Sequence, residues 1–372
     1  MGSTNKRLVT LFFATSGHSG VDRIANNLIP GLVDAGYEVD LLRIRKHGPE
    51  LAYKPPGLRI LDFKASHVYS ALPALVSYLR REHPLVLLSD KDRVNRTAII
   101  ARALSGVDTR IAVRLGTTVS VNLASRGPVE RWLQRSSMRF LYRHANAMLM
   151  PSKGAADDFA RYIGFPRNAI RITPSPVVTP ALEAQAGEPP QHPWLHDKKT
   201  PVILGIGELS SRKDFSTLLR AFALLHNKRP CRLIIYGRGK QKDALASLAS
   251  ELGVSDDFDL PGFTANPYSE IHAADLLVLT SRWEGLGIVL VEALALGTPA
   301  IATDCPSGPR EVLDNQRYGP LVPIGDYEQL ARAIEKTLDN PPPAEFLRQG
   351  AAPYTMENSI NAYLAALGLD GS

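Results

Sequence analysis

Two glutamates eight positions apart, Glu284 and Glu292, carry the strongest chemical signal in this chain. They lie in the run Ser281-Arg-Trp-Glu284-Gly-Leu-Gly-Ile-Val-Leu-Val-Glu292. The apolar residues 276–279 just before it read as a buried strand. Gly285 and Gly287 open a turn in which backbone can come close to a ligand. From Ile288 the pattern turns helical, and Gly297 with Pro299 stops it. One carboxylate is therefore expected on a loop at a strand's carboxyl end, the other in the first turns of the next helix. Between them the N–H groups of Gly285, Leu286, Gly287 and Ile288 can receive an anion. That arrangement suits a ligand with hydroxyls at both ends and a diphosphate in the middle, which describes a nucleotide sugar.

A second group of residues points to the same chemistry. Arg212 and Lys213 follow the apolar run that ends at Gly205 and precede a helical pattern. Two cations in such a loop can neutralise a departing diphosphate without a metal. Gly237-Arg238-Gly239 follows another apolar run, and its glycines permit close backbone approach. Phe263, after Gly262, is open to two readings, a contact to a base or a buried packing residue. Gly17-His18-Ser-Gly20 links the first expected strand to the first helix, with Gly20 as its donor-side candidate. Asp90-Lys-Asp92 and Asp257-Phe-Asp259 have the spacing of Mg²⁺ or Mn²⁺ ligands beside a diphosphate. Neither triplet has further ligands near it, and 255–259 reads as a surface turn, so no metal site is expected.

These residues resemble the retaining glycosyltransferase family 4, whose shared pattern is Glu, seven residues, Glu. The resemblance is strongest over 202–326, where Asp304-Cys-Pro-Ser-Gly-Pro-Arg310-Glu311 is also a familiar run among the bacterial members. It implies an α/β protein of GT-B architecture: two Rossmann-like βαβ domains facing across a cleft, with a C-terminal helix that crosses back to the first domain. It also implies roles. Glu292 would bind the ribose hydroxyls and Glu284 the donor sugar. Lys213, with Arg212, would meet the donor phosphates, Gly237, Gly239 and Gly20 would border the donor, and Phe263 its base. The chain departs from the family at two points. Glu208 stands where relatives often carry Arg, and the loop 114–120 holds no His. Arg114, Thr117 and Ser120 are the polar candidates there, and Arg114 is assigned to the acceptor side.

The elements that must position these groups are legible as alternation. Runs at 8–14, 39–44, 85–89, 111–113 and 147–150 read as strands, with helical patterns at 21–35, 71–81, 96–104 and 129–144. The rhythm breaks over 172–193, which holds six prolines, and resumes at 202. Alternation of this kind argues for parallel sheets with crossover helices. The expected organisation is a first domain at 1–178 joined by a C-terminal helix at about 354–372, a linker at 179–198, and a nucleotide-sugar domain at 199–353. Two cysteines, Cys231 and Cys305, favour a reducing, cytoplasmic compartment, and no apolar run reaches membrane-spanning length. The run at 8–14 could imitate a short signal peptide but reads better as a first strand.

Net charge is +6 and unevenly spread. Residues 1–178 hold 26 Lys and Arg against 13 Asp and Glu, whereas 179–372 hold 17 against 24. A basic first half suits an anionic partner. Arg131, Arg135, Arg139 and Arg143 recur every fourth residue and form one row of a helix, beside Val129, Trp132, Leu133, Phe140 and Leu141. The plainer reading is a solvated face whose apolar side packs on the sheet, and it comes before the second, that the helix lies on an anionic membrane at the inner face.

The expected reaction is transfer of a hexosyl or N-acetylhexosaminyl group from a nucleotide sugar, UDP-linked before GDP-mannose, to a glycan or lipid-linked saccharide. No cofactor, metal or nucleic acid is expected. A nucleotide-sugar 2-epimerase, a glycan phosphorylase and a non-catalytic binding protein remain as alternatives. A dinucleotide oxidoreductase is disfavoured, since no Gly-x-Gly-x-x-Gly follows the first strand.

Overall fold

The computed structural model describes residues 7–14, 20–45, 48–51, 53–196 and 198–369. They form two units, one comprising 1–176 with 356–372 and the other 177–355.

The first unit is built on seven parallel strands: β1 (Leu8–Phe13), β2 (Glu38–Ile44), β3 (Leu58–Phe63), β4 (Val86–Asp90), β5 (Arg110–Arg114), β6 (Ala147–Met150) and β7 (Ile170–Ile172), in the order β3-β2-β1-β4-β5-β6-β7. Central strands are apolar on both faces, as a sheet covered by helices on each side requires. The last helix, Met356–Leu367, belongs to this unit and covers the helix Gly20–Asp34. Gly31 makes that contact, since a Cβ there would meet Ile360 Cδ1 at 2.3 Å.

The second unit carries six parallel strands: β8 (Val202–Ile206), β9 (Arg232–Tyr236), β10 (Phe258–Gly262), β11 (Leu276–Leu279), β12 (Ala300–Thr303) and β13 (Leu321–Val322), in the order β10-β9-β8-β11-β12-β13. Both sheets are doubly wound, as the sequence alternation predicts.

Two local expectations need correction. The segment read as a linker, 179–198, carries the helices Pro180–Ala186 and Pro193–His196, and buries Leu182 and Leu195 in the core of the second unit. Its prolines at 180 and 193 stand at helix starts, where a missing N–H costs nothing. The stretch read as a surface turn, 255–259, runs into the edge strand β10, paired with β9. Pro261 inside that strand is tolerated at an edge.

Candidate active site

In the second unit the chain leaves β8, builds β9 and β10 on one side, and returns to β11 on the other. The reversal creates a crevice at the carboxyl ends of β8 and β11, the place where open α/β sheets bind ligands. Lys213 lies in the loop after β8 and Glu284 in the loop after β11, and both are buried.

Glu284 Oε1 accepts hydrogen bonds from Lys213 Nζ at 2.6 Å, Ser281 Oγ at 2.7 Å and Arg212 Nη1 at 3.1 Å. Burial pushes this carboxyl towards its neutral form, but the charges of Lys213 and Arg212 outweigh burial and hold its pKa below the ordinary value. It is ionised at neutral pH. Backbone contacts fix the two loops together. Thr280 Oγ1 donates to the Lys213 carbonyl at 2.9 Å, and the Arg282 N–H to the Arg212 carbonyl at 2.8 Å. From the loop after β12, Ser307 Oγ donates to the Glu284 carbonyl at 2.5 Å. The same burial, with the Glu284 charge beside it, pushes the Cys305 thiol up to about 12. Sequence reading placed Glu284, Lys213 and Arg212 at one site but missed Ser281, Thr280 and Ser307. The signal for Ser281 was at hand, three residues from Glu284; that for Ser307 was not.

Glu292 lies in the helix Ile288–Leu296 and is buried. The helix starts from Gly287, whose φ of 85° is a left-handed conformation that suits glycine, and no side chain caps it. Gly285 and Leu286 are buried beside it. The glycines of 237–239 have a packing role that sequence did not disclose. A Cβ on Gly237 would stand 1.8 Å from the Gly207 carbonyl oxygen, and one on Gly239 2.2 Å from that of Leu209. They let the loop after β9 close against the loop after β8. Phe263 is 52% exposed, with the Arg238 guanidinium 5.4 Å from its ring centroid, so the buried-packing reading does not hold. It offers an aromatic surface backed by a cation. Glu208 is exposed and makes no part of the Glu284 cluster.

The Asp-x-Asp triplets are engaged elsewhere. Asp90 pairs with Arg114, Asp92 with Arg96, Asp257 with His226 and Arg232, and Asp259 with His192. Among the described residues no three His, Cys, Asp or Glu side chains gather to hold a metal ion.

In the first unit Gly20 begins the helix Gly20–Asp34, while Gly17 and His18 lie outside the described residues. Arg114, expected on the acceptor side, is instead 1% exposed. It donates to Asp90 Oδ2 at 2.5 Å and to the Tyr363 hydroxyl at 2.9 Å, and so holds the last helix to the sheet. Burial disfavours its charge, but Tyr363 and Asp90 outweigh burial and hold its pKa above the ordinary value. Sequence reading also missed a concavity of about 290 Å³ at the carboxyl ends of β1 and β2, lined by Ser66, His67, Tyr69 and Arg93 among others. These residues carry no motif, and the loop after β3 could not be placed before β3 itself was known.

Two doubly wound units, the second with a buried ion-paired glutamate at its switch point, place the chain in the class of two-domain α/β proteins. Comparison with known proteins narrows it. Residues 191–352 match the family described as glycosyl transferases group 1, and residues 19–176 the glycosyl transferase 4-like domain. The chain belongs to the family 4 glycosyltransferases of GT-B fold. It is 27% identical, over 89% of its length and 90% of the relative's, to the Campylobacter jejuni N-acetylgalactosamine-N,N'-diacetylbacillosaminyl-diphospho-undecaprenol 4-alpha-N-acetylgalactosaminyltransferase. It is 34% identical to the Rhizobium meliloti lipopolysaccharide core biosynthesis glycosyltransferase LpsE, over 45% of this chain and 49% of that one. Among solved structures, a Rickettsia africae glycosyltransferase aligns with TM-score 0.78 and 13% identity over 99% of this chain and all of its own. Anabaena HepE in complex with UDP aligns with TM-score 0.74 and 16% identity over 96% and 99%. These two likenesses speak to the fold.

Proposed function

We propose that this glycosyltransferase moves a hexosyl or N-acetylhexosaminyl group, with retention at the anomeric carbon, from a UDP-sugar to a glycan or lipid-linked saccharide. GDP-mannose is the second donor candidate. The observation that carries the proposal is the buried cluster of Glu284, Lys213 and Arg212 at the switch point of the second unit. In the bound state Lys213 and Arg212 turn their donors towards the diphosphate, and Glu284, released from them, accepts hydrogen bonds from the donor sugar's hydroxyls. Glu292 accepts from the ribose. The N–H groups from Gly285 to Ile288, at a helix start without a side-chain cap, face phosphate or sugar oxygens. Phe263 with Arg238 gives the base a surface. A lipid-linked acceptor is supported by the names of two relatives, the diphospho-undecaprenol enzyme and the lipopolysaccharide core enzyme. The concavity near His67, Tyr69 and Arg93, with a half-exposed ring and a cation, suits an acceptor saccharide. No cofactor enters the proposal, and no metal is assigned to donor binding.

Calorimetric titration of UDP, GDP and ADP in EDTA tests it, with Glu292→Ala alongside. The expected result is micromolar binding of UDP, lost by at least tenfold in the variant, since a ribose contact by an ionised acceptor is worth about 1.5–3 kcal/mol. Binding of GDP in place of UDP would move the donor to GDP-mannose. A folded protein that binds none of the three would sink the donor site as drawn.

A further inference from the structure

We propose that the helix Pro128–Leu141 docks this protein on an anionic lipid bilayer, through a stripe of exposed apolar side chains edged by arginines. The inference goes beyond the transfer reaction and does not depend on which sugar moves.

Val129, Trp132, Leu133 and Phe140 are 69%, 65%, 54% and 58% exposed. Offsets of 3, 4 and 11 residues place all four on one face of a helix with 3.6 residues per turn. Sequence left open that the apolar side packs on the sheet; the exposure of these four rules that out for them, whereas Leu141 is half-buried against the core. The side that packs inward is another one. Met138 is its one fully buried member, and Ser137 accepts from Arg96 Nη1 at 3.0 Å. Arg131, Arg135 and Arg139 wind in one row from the far side of the helix towards the apolar stripe, so that Arg139 borders it at Trp132; Arg143 stands one turn further on, and all four are exposed. Arg143 lies over the Phe140 ring at 4.7 Å and so holds its charge at the stripe's border, while Arg135 lies over the ring of Tyr162 at 5.5 Å.

The chemistry of the face selects the occupant. An apolar stripe of this size, outside any core, has no favourable place in water. Beside it stands a row of fixed cations, within a half-chain of 26 basic and 13 acidic residues. Two copies meeting through this face would bring two such rows together, at an electrostatic cost. A bilayer with anionic headgroups meets both demands: acyl chains receive the Trp132, Leu133 and Phe140 side chains, and headgroup phosphates receive the arginines. Trp132, with an apolar body and one N–H donor, suits the boundary between them.

The test is partition of the full chain onto vesicles of phosphatidylcholine alone and of phosphatidylcholine with 30% phosphatidylglycerol, read by co-sedimentation and by tryptophan emission. The protein is expected to sediment with the anionic vesicles only, to be released by 0.5 M salt, and to shift its emission to the blue. In Trp132→Phe the shift is expected to vanish although Trp194 and Trp283 remain. Each arginine near such a surface is worth about a fivefold change in partition. Replacing Arg139 and Arg143 by Gln is therefore expected to lower it by about 25-fold. Leu133→Ser with Phe140→Ser is expected to lower it at least about tenfold. All these side chains are exposed, and unchanged circular dichroism and melting confirm that the variants fold. Equal or absent partition onto both vesicle types would overturn the proposal, as would either variant binding like the parent. So would a dimer that Leu133→Ser with Phe140→Ser turns into a monomer without any vesicle binding, which would name a second copy as the occupant. Nucleotide titration proceeds without vesicles, so failure here and failure of the donor site are separate results.

Discussion

Lys213→Met is expected to lower kcat by about a hundredfold or more, a loss of about 3 kcal/mol of transition-state stabilisation, with a smaller change in donor KM. The variant keeps the aliphatic stem. That matters because the Lys213 stem lies against Gly207, where a Cβ would meet its Cε at 2.8 Å. What is removed is the charge 2.6 Å from Glu284. On the proposed reading this charge meets the leaving diphosphate, whose negative charge grows in the transition state, so the loss falls on kcat. Arg212 retains its contact to Glu284 at 3.1 Å, which limits the damage to the fold to about 1–3 kcal/mol.

Acid stability gives a second readout of the same substitution. The Glu284 pKa in the folded protein lies below its ordinary value of 4.5. Its ion pairs therefore add stability that is fully present above about that pH and is lost as pH falls through the lower folded value. Without the Lys213 charge the depression shrinks, and the acid side of the stability profile flattens. A variant that loses stability and flattens the profile but keeps its kcat would make the cation structural, and the catalytic assignment would be wrong. A variant that keeps both would contradict the geometry itself.

How much of this could be read beforehand depended on where each signal was stored. The central strands were legible because burial on both faces leaves long apolar runs, as in β1 and β4. The edges were not. β3 is only partly buried, β7 and β13 have three and two residues, and β10 contains Pro261. Each is a strand because of its neighbour, and the neighbour is not local in sequence. The same division holds within the site. Glu284 and Lys213 were found because family pattern and residue chemistry agree on them, and Arg212 from its chemistry beside Lys213 alone. Ser307 reaches the Glu284 carbonyl only because the loops after β11 and β12 lie side by side, which strand order decides. Gly237 and Gly239 were flagged for ligand approach, whereas their missing side chains also make room for the backbone of 207–209. A glycine after a strand says that something comes close; it does not say what.

Arg114 shows the limit most sharply, because its chemistry invites a ligand and its position denies one. Arg114→Met is expected to destabilise the first unit by about 3–5 kcal/mol. The substitution leaves the Asp90 carboxylate, 1% exposed, without the cation that now stands 2.5 Å away. It also removes the donor to Tyr363, 249 residues along the chain, and with it a tie between the sheet and the helix Met356–Leu367. Tyr363→Phe keeps the ion pair and loses one hydrogen bond, so about 1 kcal/mol is expected from it. Asp90→Asn combined with Arg114→Met removes both charges and is expected to recover part of the loss, because the uncompensated charge is the larger penalty. Two units need not unfold as one transition, so the reading should be local: hydrogen exchange across 356–369 and β4, with urea titration as the global check. Faster exchange in those segments of Arg114→Met, with the second unit unchanged, is the expected outcome. An acceptor-binding arginine would behave in the opposite way, raising acceptor KM while leaving exchange at β4 and the last helix as it was.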